Sequence, residues 1–235
     1  MIRAFLVPLL LAFATPSTAF AQEGAPPSAA SAADEGAEAA VGPESEGDAP
    51  ATPAVPVYAT QEVALATDEG TIILALEVER APGTSANFLK YVDDRRFDGA
   101  TFYRAVRFAE RDDLGLLQGG TKGDPKRVLP GIAHEPTTVT GLTHDDGAIS
   151  MARAAPGTAN GDFFIILGKF SSLDADPEKD GDNLGYAVFG HVVGGMDVVR
   201  RILAAPLSET EGEGSMRGQM LEKPIRIISA RRLGG

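Results

Sequence analysis

Eight short strand-like stretches, separated by loops rich in Gly, Pro, Asp and Thr, constrain this chain most: Glu62 to Thr67, Thr71 to Glu77, Thr101 to Val106, Leu114 to Gln118, Ala148 to Ala152, Phe163 to Leu167, Ala187 to Val192 and Ile225 to Arg231. The first two flank Asp68-Glu69-Gly70, turn chemistry that predicts a β-hairpin. Only two windows carry a helical period. In Pro82 to Val92, the side chains of Ala86, Phe88, Leu89 and Val92 share one face, with Thr84 or Ser85 as candidate N-cap; in Met196 to Ala204, Val198, Val199, Ile202 and Leu203 do so. Many short strands with two helices argue against alternating βαβ units and predict a mainly β fold, an antiparallel barrel or sandwich. No internal repeat and no GxGxxG, Walker or GxSxG pattern is present.

The first 56 residues do not read as fold. Met1-Ile2-Arg3 supplies a positive start, Ala4 to Ala14 an apolar run broken only by Pro8, and Ala19-Phe20-Ala21 a small-x-small cleavage pattern, so residues 1–21 are expected to be a signal peptide with Gln22 as the mature start. The run is shorter than the roughly 18 apolar residues a membrane span needs. Residues 22–56 are Ala, Pro, Gly, Ser and acid, with seven carboxylates and no basic residue, a composition expected to form a disordered acidic linker. The chain has no cysteine, which excludes disulfides, thiol catalysis and a lipid on such a residue. A periplasmic or secreted protein, free of the membrane after cleavage, is the expectation. Removing the seven linker carboxylates from the 33 of the chain leaves 26, against 20 basic residues once Arg3 is taken from 21, a balance that argues against a nucleic-acid partner. Residues 57–235 suffice for one domain with its own core.

Within that domain, Phe102-Tyr103-Arg104, Leu116-Leu117-Gln118-Gly119-Gly120, Ser150-Met151-Ala152-Arg153 and Phe163-Phe164-Ile165 follow one another in an order that resembles the cyclophilin family of peptidyl-prolyl isomerases. The resemblance runs from about Glu62 to Leu233, and the combined pattern is far more specific than any one piece. It implies a closed eight-stranded antiparallel barrel with a helix over each open end, acting as a monomer on Pro-containing segments of unfolded or partly folded proteins without cofactor or metal. It implies Arg104 and Gln118 as catalytic residues, Phe164 as the floor of a proline pocket, and Leu116, Ala152, Leu173 and Tyr186 as its walls, with backbone groups near Ala152 and Arg153 holding the peptide extended. Read singly, Arg104 is a rim arginine in an ordinary salt bridge, Gln118 a turn residue, and the apolar positions are packing.

The chain departs from the family's pattern in several places. Gly115 stands where an aromatic is common, residues 107–113 form a longer loop, Ser172 replaces a frequent tryptophan, and Tyr186 a frequent histidine. Asp162 replaces a usual glutamine and is expected beside Arg104, where it would either orient the guanidinium or neutralise its field. These departures keep a second reading open, a Pro-peptide binding or chaperone module with little turnover. A lipocalin-type ligand barrel is a third, but it would need an open interior, which the many large inward side chains argue against. His134-Glu135 and His144-Asp145-Asp146 lack tight ligand spacing and read as loop polarity. Asp176-x-Glu178-x-Asp180-Gly181 begins like a calcium loop, but Ala187 holds the twelfth position, so it reads as a solvated loop, and the Glu209 to Glu213 run as an exposed insertion.

Overall fold

The computed structural model describes residues 57–108 and 110–234. The expected signal peptide and acidic linker lie outside the described residues. The elements are β1 (Gln61–Thr67), β2 (Gly70–Leu76), α1 (Pro82–Asp93), β3 (Thr101–Phe108), β4 (Arg111–Gly120), α2 (Thr137–Thr140), β5 (Ala148–Met151), β6 (Asp162–Leu167), β7 (Val188–Gly194), α3 (Met196–Leu203) and β8 (Met220–Arg232). All eight strands pair antiparallel in the closed order β1-β2-β7-β5-β6-β4-β3-β8. Closure leaves no sheet edge unpaired, and it makes the C-terminal strand the partner of the first.

The barrel is filled, as a ligand barrel would not be. Phe88, Phe97, Phe102, Phe163 and Phe189 are at most 1 % exposed. Their rings meet at centroid distances of 4.8 to 5.8 Å, mostly tilted or edge-on. Burial of each such ring stabilises by about 1.5–3 kcal/mol. The two long helices close opposite ends. Tyr91 of α1 abuts Gly161 just before β6, whereas Leu203 of α3 abuts Gly115 near the start of β4, the strand antiparallel to β6.

Four sequence expectations need correction. The described residues hold a third helix, the single turn α2, which no amphipathic pattern marks. The cap of α1 is neither Thr84 nor Ser85: the helix begins at Pro82, and the Glu135 carboxylate accepts from the Gly83 and Thr84 N–H groups at 3.0 and 2.7 Å and from the Thr84 hydroxyl at 2.5 Å. The positive end of a helix favours such a group, but a residue fifty positions away cannot be read from local spacing. Residues 107–108 and 111–113 are not loop but strand, belonging to β3 and β4, with Phe108 opposite Arg111. His144 is not loop polarity; it is fully buried, with Nδ1 2.6 Å from Asp174 Oδ1 and Nε2 3.0 Å from Ser150 Oγ.

Candidate active site

The site depends on an irregularity in β3. Phe102 pairs with Gly119 and Arg104 with Gln118, so Tyr103 is an extra residue on its strand, a β-bulge. In regular alternation Phe102 and Arg104 would share a face. The bulge separates them: Phe102 is buried in the barrel, Ala105 is buried again, and Arg104 and Val106 line a groove on the outer surface.

That groove has a volume of about 510 Å³. Leu116, Gln118, Ala152, Arg153, Phe164, Leu173 and Tyr186 line it together with Arg104. Side chains from β3, β4, β6 and the loops after β5 and β6 thus converge, as the resemblance implies. Phe164 lies in the floor, with Tyr186 edge-on to it at 5.4 Å and the buried His144 ring stacked behind it at 6.0 Å. Leu173 sits on a 3-10 turn at Ser171–Leu173, and its carbonyl accepts from the Tyr186 N–H at 2.9 Å, which ties the two wall residues together.

Arg104 is held from two sides. Its Nη1 donates to Gln118 Oε1 at 2.8 Å, while Nε and Nη2 both donate to Gln219 Oε1 at 3.0 and 2.6 Å. Gln118 in turn donates from Nε2 to the Tyr103 hydroxyl at 2.9 Å. Burial lowers the Arg104 pKa from its ordinary value, but a guanidinium stays charged at working pH. The result is a cation whose hydrogen-bond acceptors are neutral amides, so its positive potential is directed and not cancelled.

Asp162 does not join this constellation. Its Oδ1 accepts from the Lys122 backbone N–H at 2.7 Å, and the three guanidinium bonds go to Gln118 and Gln219. Burial raises its pKa. Its position at the first residue of β6, opposite Gly120, turns it towards the end of β4 instead of the groove. The Arg153 side chain is likewise engaged, with Asp182 at 2.6 and 2.9 Å and with the Gly185 carbonyl. It braces the loop beside Tyr186, over whose ring it lies at 5.1 Å. Ala152 already donates its N–H to the Asp162 carbonyl at 2.9 Å, so that group is not available to a peptide.

Residues 62–232 match the family described as cyclophilin type peptidyl-prolyl cis-trans isomerase/CLD. The chain is a cyclophilin. It is 34 % identical over 175 residues to a peptidyl-prolyl cis-trans isomerase of Streptomyces antibioticus, covering 73 % of this chain and 98 % of that one. It is 33 % identical over 181 residues to the peptidyl-prolyl cis-trans isomerase A of Dickeya dadantii, covering 77 % and 88 %. Among solved structures, a Cryptosporidium parvum cyclophilin type peptidyl-prolyl cis-trans isomerase superposes with a TM-score of 0.59 at 19 % identity, covering 75 % of this chain and 99 % of that one. Membership in this family and these relatives make the chain a peptidyl-prolyl cis-trans isomerase.

Gln219, which holds Arg104, and Val106, Phe108, Phe170 and Met216, which line this cyclophilin's groove, were not marked by the sequence. Gln219 follows a Gly- and Glu-rich stretch that resembles a solvated insertion, and no local signal marks it as a partner of Arg104 115 positions away. Gly115, standing where an aromatic is common in the family, does not line the groove but packs against α3, where a Cβ would fall 2.4 Å from Leu203 Cδ2. Phe108 and Phe170 line the groove instead. Ser172 does face the groove, where the resemblance places a tryptophan.

Proposed function

We propose that this cyclophilin isomerises X-Pro bonds in extended segments of unfolded or partly folded exported proteins, and that Arg104 stabilises the twisted amide. Twisting the bond loses amide resonance, which sets a barrier of about 18–20 kcal/mol. The twisted proline nitrogen becomes pyramidal and gains lone-pair density, so a directed cation favours it over the planar ground state. The observation that carries this reading is the guanidinium held by Gln118 and Gln219 at the rim of a pocket floored by Phe164. A proline ring resting on Phe164 between Leu116 and Leu173 would bring its nitrogen towards that rim. Arg104, with Gln118 as its holder, is the proposed catalytic pair; Leu116, Ala152, Phe164, Leu173 and Tyr186 are the proposed substrate contacts.

Three observations support the wider setting. The Cryptosporidium parvum cyclophilin was also solved in the presence of the dipeptide Ala-Pro. The groove is complete within one chain, which suits a monomer. The leader-like first 21 residues carry the proposal of export, and among the described residues no helix is long and apolar enough to cross a membrane. Uncatalysed X-Pro exchange takes tens to hundreds of seconds near 25 °C, slow enough to limit folding outside the cytoplasm.

The test is a protease-free measurement of cis-trans exchange on a short Ala-Pro peptide. Arg104→Ala is expected to slow catalysed exchange at least about tenfold, the effect of about 1.4 kcal/mol of lost transition-state stabilisation. Arg104→Lys restores only part, because it keeps the charge and loses the planar fork. Full activity in the alanine variant would remove Arg104 from the mechanism, and peptide binding without turnover in the unaltered protein would favour the binding-module reading.

A further inference from the structure

The groove continues past the residues that address a proline and its amide. From Leu116 it runs away from Gln118 along the β3–β4 hairpin, where Val106 pairs with Leu116 and Phe108 lies beyond them. Phe108 at the hairpin end, Phe170 just before the Ser171–Leu173 turn, and Met216 on a second 3-10 turn at Gly214–Met216 all line this part. They come from three separate segments. Phe108 and Met216 are each 44 % exposed, and the Phe108 and Phe170 rings lie 5.7 Å apart at 41°. Exposing an aromatic and a thioether together costs solubility and is not demanded by the barrel, whose core closes without them.

The shelf is also uncharged. The arginines nearest Phe108 in sequence are engaged elsewhere: Arg107 donates to the Ala204 and Ala205 carbonyls at 3.2 Å, and Arg111 forms a two-point pair with Asp113 at 2.7 and 2.8 Å. Apart from the Ser172 and Ser215 hydroxyls, what remains facing the shelf is ring, thioether and aliphatic surface. Such a surface discriminates by apolar contact, and aromatic rings gain most from it through edge-to-face and sulfur contacts.

We infer that Phe108, Phe170 and Met216 form a specificity shelf that takes a large apolar side chain, aromatic in preference, on a residue flanking the substrate proline. The inference rests on the reading of the groove as the peptide site. The shelf lies at the opposite end of the groove from Ala152 and Arg153, so it meets the peptide on one side of the proline only. Its effect is a preference among substrates, separate from the field of Arg104 on the amide.

The test uses the full chain and two peptide series, Ala-Xaa-Pro-Ala and Ala-Ala-Pro-Xaa, with Xaa as Ala, Leu, Lys or Phe. Affinity is read by NMR titration and turnover by exchange spectroscopy. In one series Phe is expected to bind about fivefold more tightly than Ala, as partial burial of a ring implies, with Leu between them and Lys no better than Ala. Phe108→Ser should bring the Phe-to-Ala ratio close to one, and Phe108→Leu should restore part of it. Met216→Ser, at an exposed position, should lower the ratio and provides the same reading if Phe108→Ser fails to fold. A ratio unchanged in Phe108→Ser and Met216→Ser, or no preference for Phe in either series, would overturn the shelf. Affinity is read without turnover, so a preference for Phe in a protein that proves inactive would support the shelf and count against the isomerase mechanism alone.

Discussion

At the scale of single residues, the role proposed for Arg104 requires its guanidinium to point into the groove, and two amides hold it there. Gln219 supplies one oxygen to both Nε and Nη2. Gln219→Leu should therefore loosen the guanidinium and lower kcat/KM about threefold to tenfold, less than the roughly hundredfold cost of a full 1 Å misplacement, because Gln118 still holds Nη1. Gln219→Glu keeps the contact but adds a charge, and it should lower turnover with the arginine still in place, visible as an unchanged arginine side-chain resonance pattern. Equal rates in the unaltered protein and both variants would mean that Gln118 alone positions the arginine. Asp162, expected beside Arg104 from the sequence, acts instead on the Lys122 main chain, so a charge argument built on it has no basis in the geometry.

At the scale of elements, the bulge at Tyr103 and the remote cap on α1 do what regular strand and helix patterns cannot. The bulge allows one strand to send Phe102 inward and Arg104 outward with one residue between them. The cap fastens the loop before α2 to the helix that closes one barrel end. Among the described residues no side chain next to Pro82 caps the helix, and the Glu135 carboxylate accepts three bonds there. Glu135→Ala should destabilise by about 1–2 kcal/mol, the usual range for losing a helix cap, with a cap-specific part restored in Glu135→Gln. Thermal melting of the three proteins checks this; an alanine variant melting with the parent would show that water replaces the carboxylate at no cost.

At the scale of the whole molecule, stability should depend on pH through His144. Its ring is fully buried between Asp174 and Ser150, against Phe164, and burial lowers its pKa despite the nearby Asp174 and Asp145. A lowered value means that the unfolded chain takes up the proton first. The contribution is therefore intact above the ordinary imidazole value of about 6.5 and is lost as pH falls towards and through the folded value. Asp162, whose pKa is raised, acts with the opposite sign and gains stability on acidification. Comparing unfolding free energies of the parent and His144→Gln between about pH 7.5 and 5.5 isolates the histidine. The variant should be less stable throughout but lose less on acidification, and parallel curves would exclude His144 as the source.

The strands were legible in the sequence because a half-buried strand repeats its apolar pattern every two residues, and β1, β2 and β6 appear within one residue of where the sequence places them, whereas β4 begins three residues earlier. Arg104, Gln118 and Phe164 were legible through their motifs, and they meet in one groove. What the motifs could not carry was anything dependent on distant chain: the Gln219 amide, the Glu135 cap, the buried His144, and the aromatic lining supplied by Phe108 and Phe170. Periodicity reports which face of an element is apolar, but only closure of the barrel decides which remote side chain stands opposite it. The direction of Arg104 shows the difference most clearly. Its identity is local, whereas its outward orientation follows from one extra residue in the pairing of β3 with β4, and pairing is a property of two strands together.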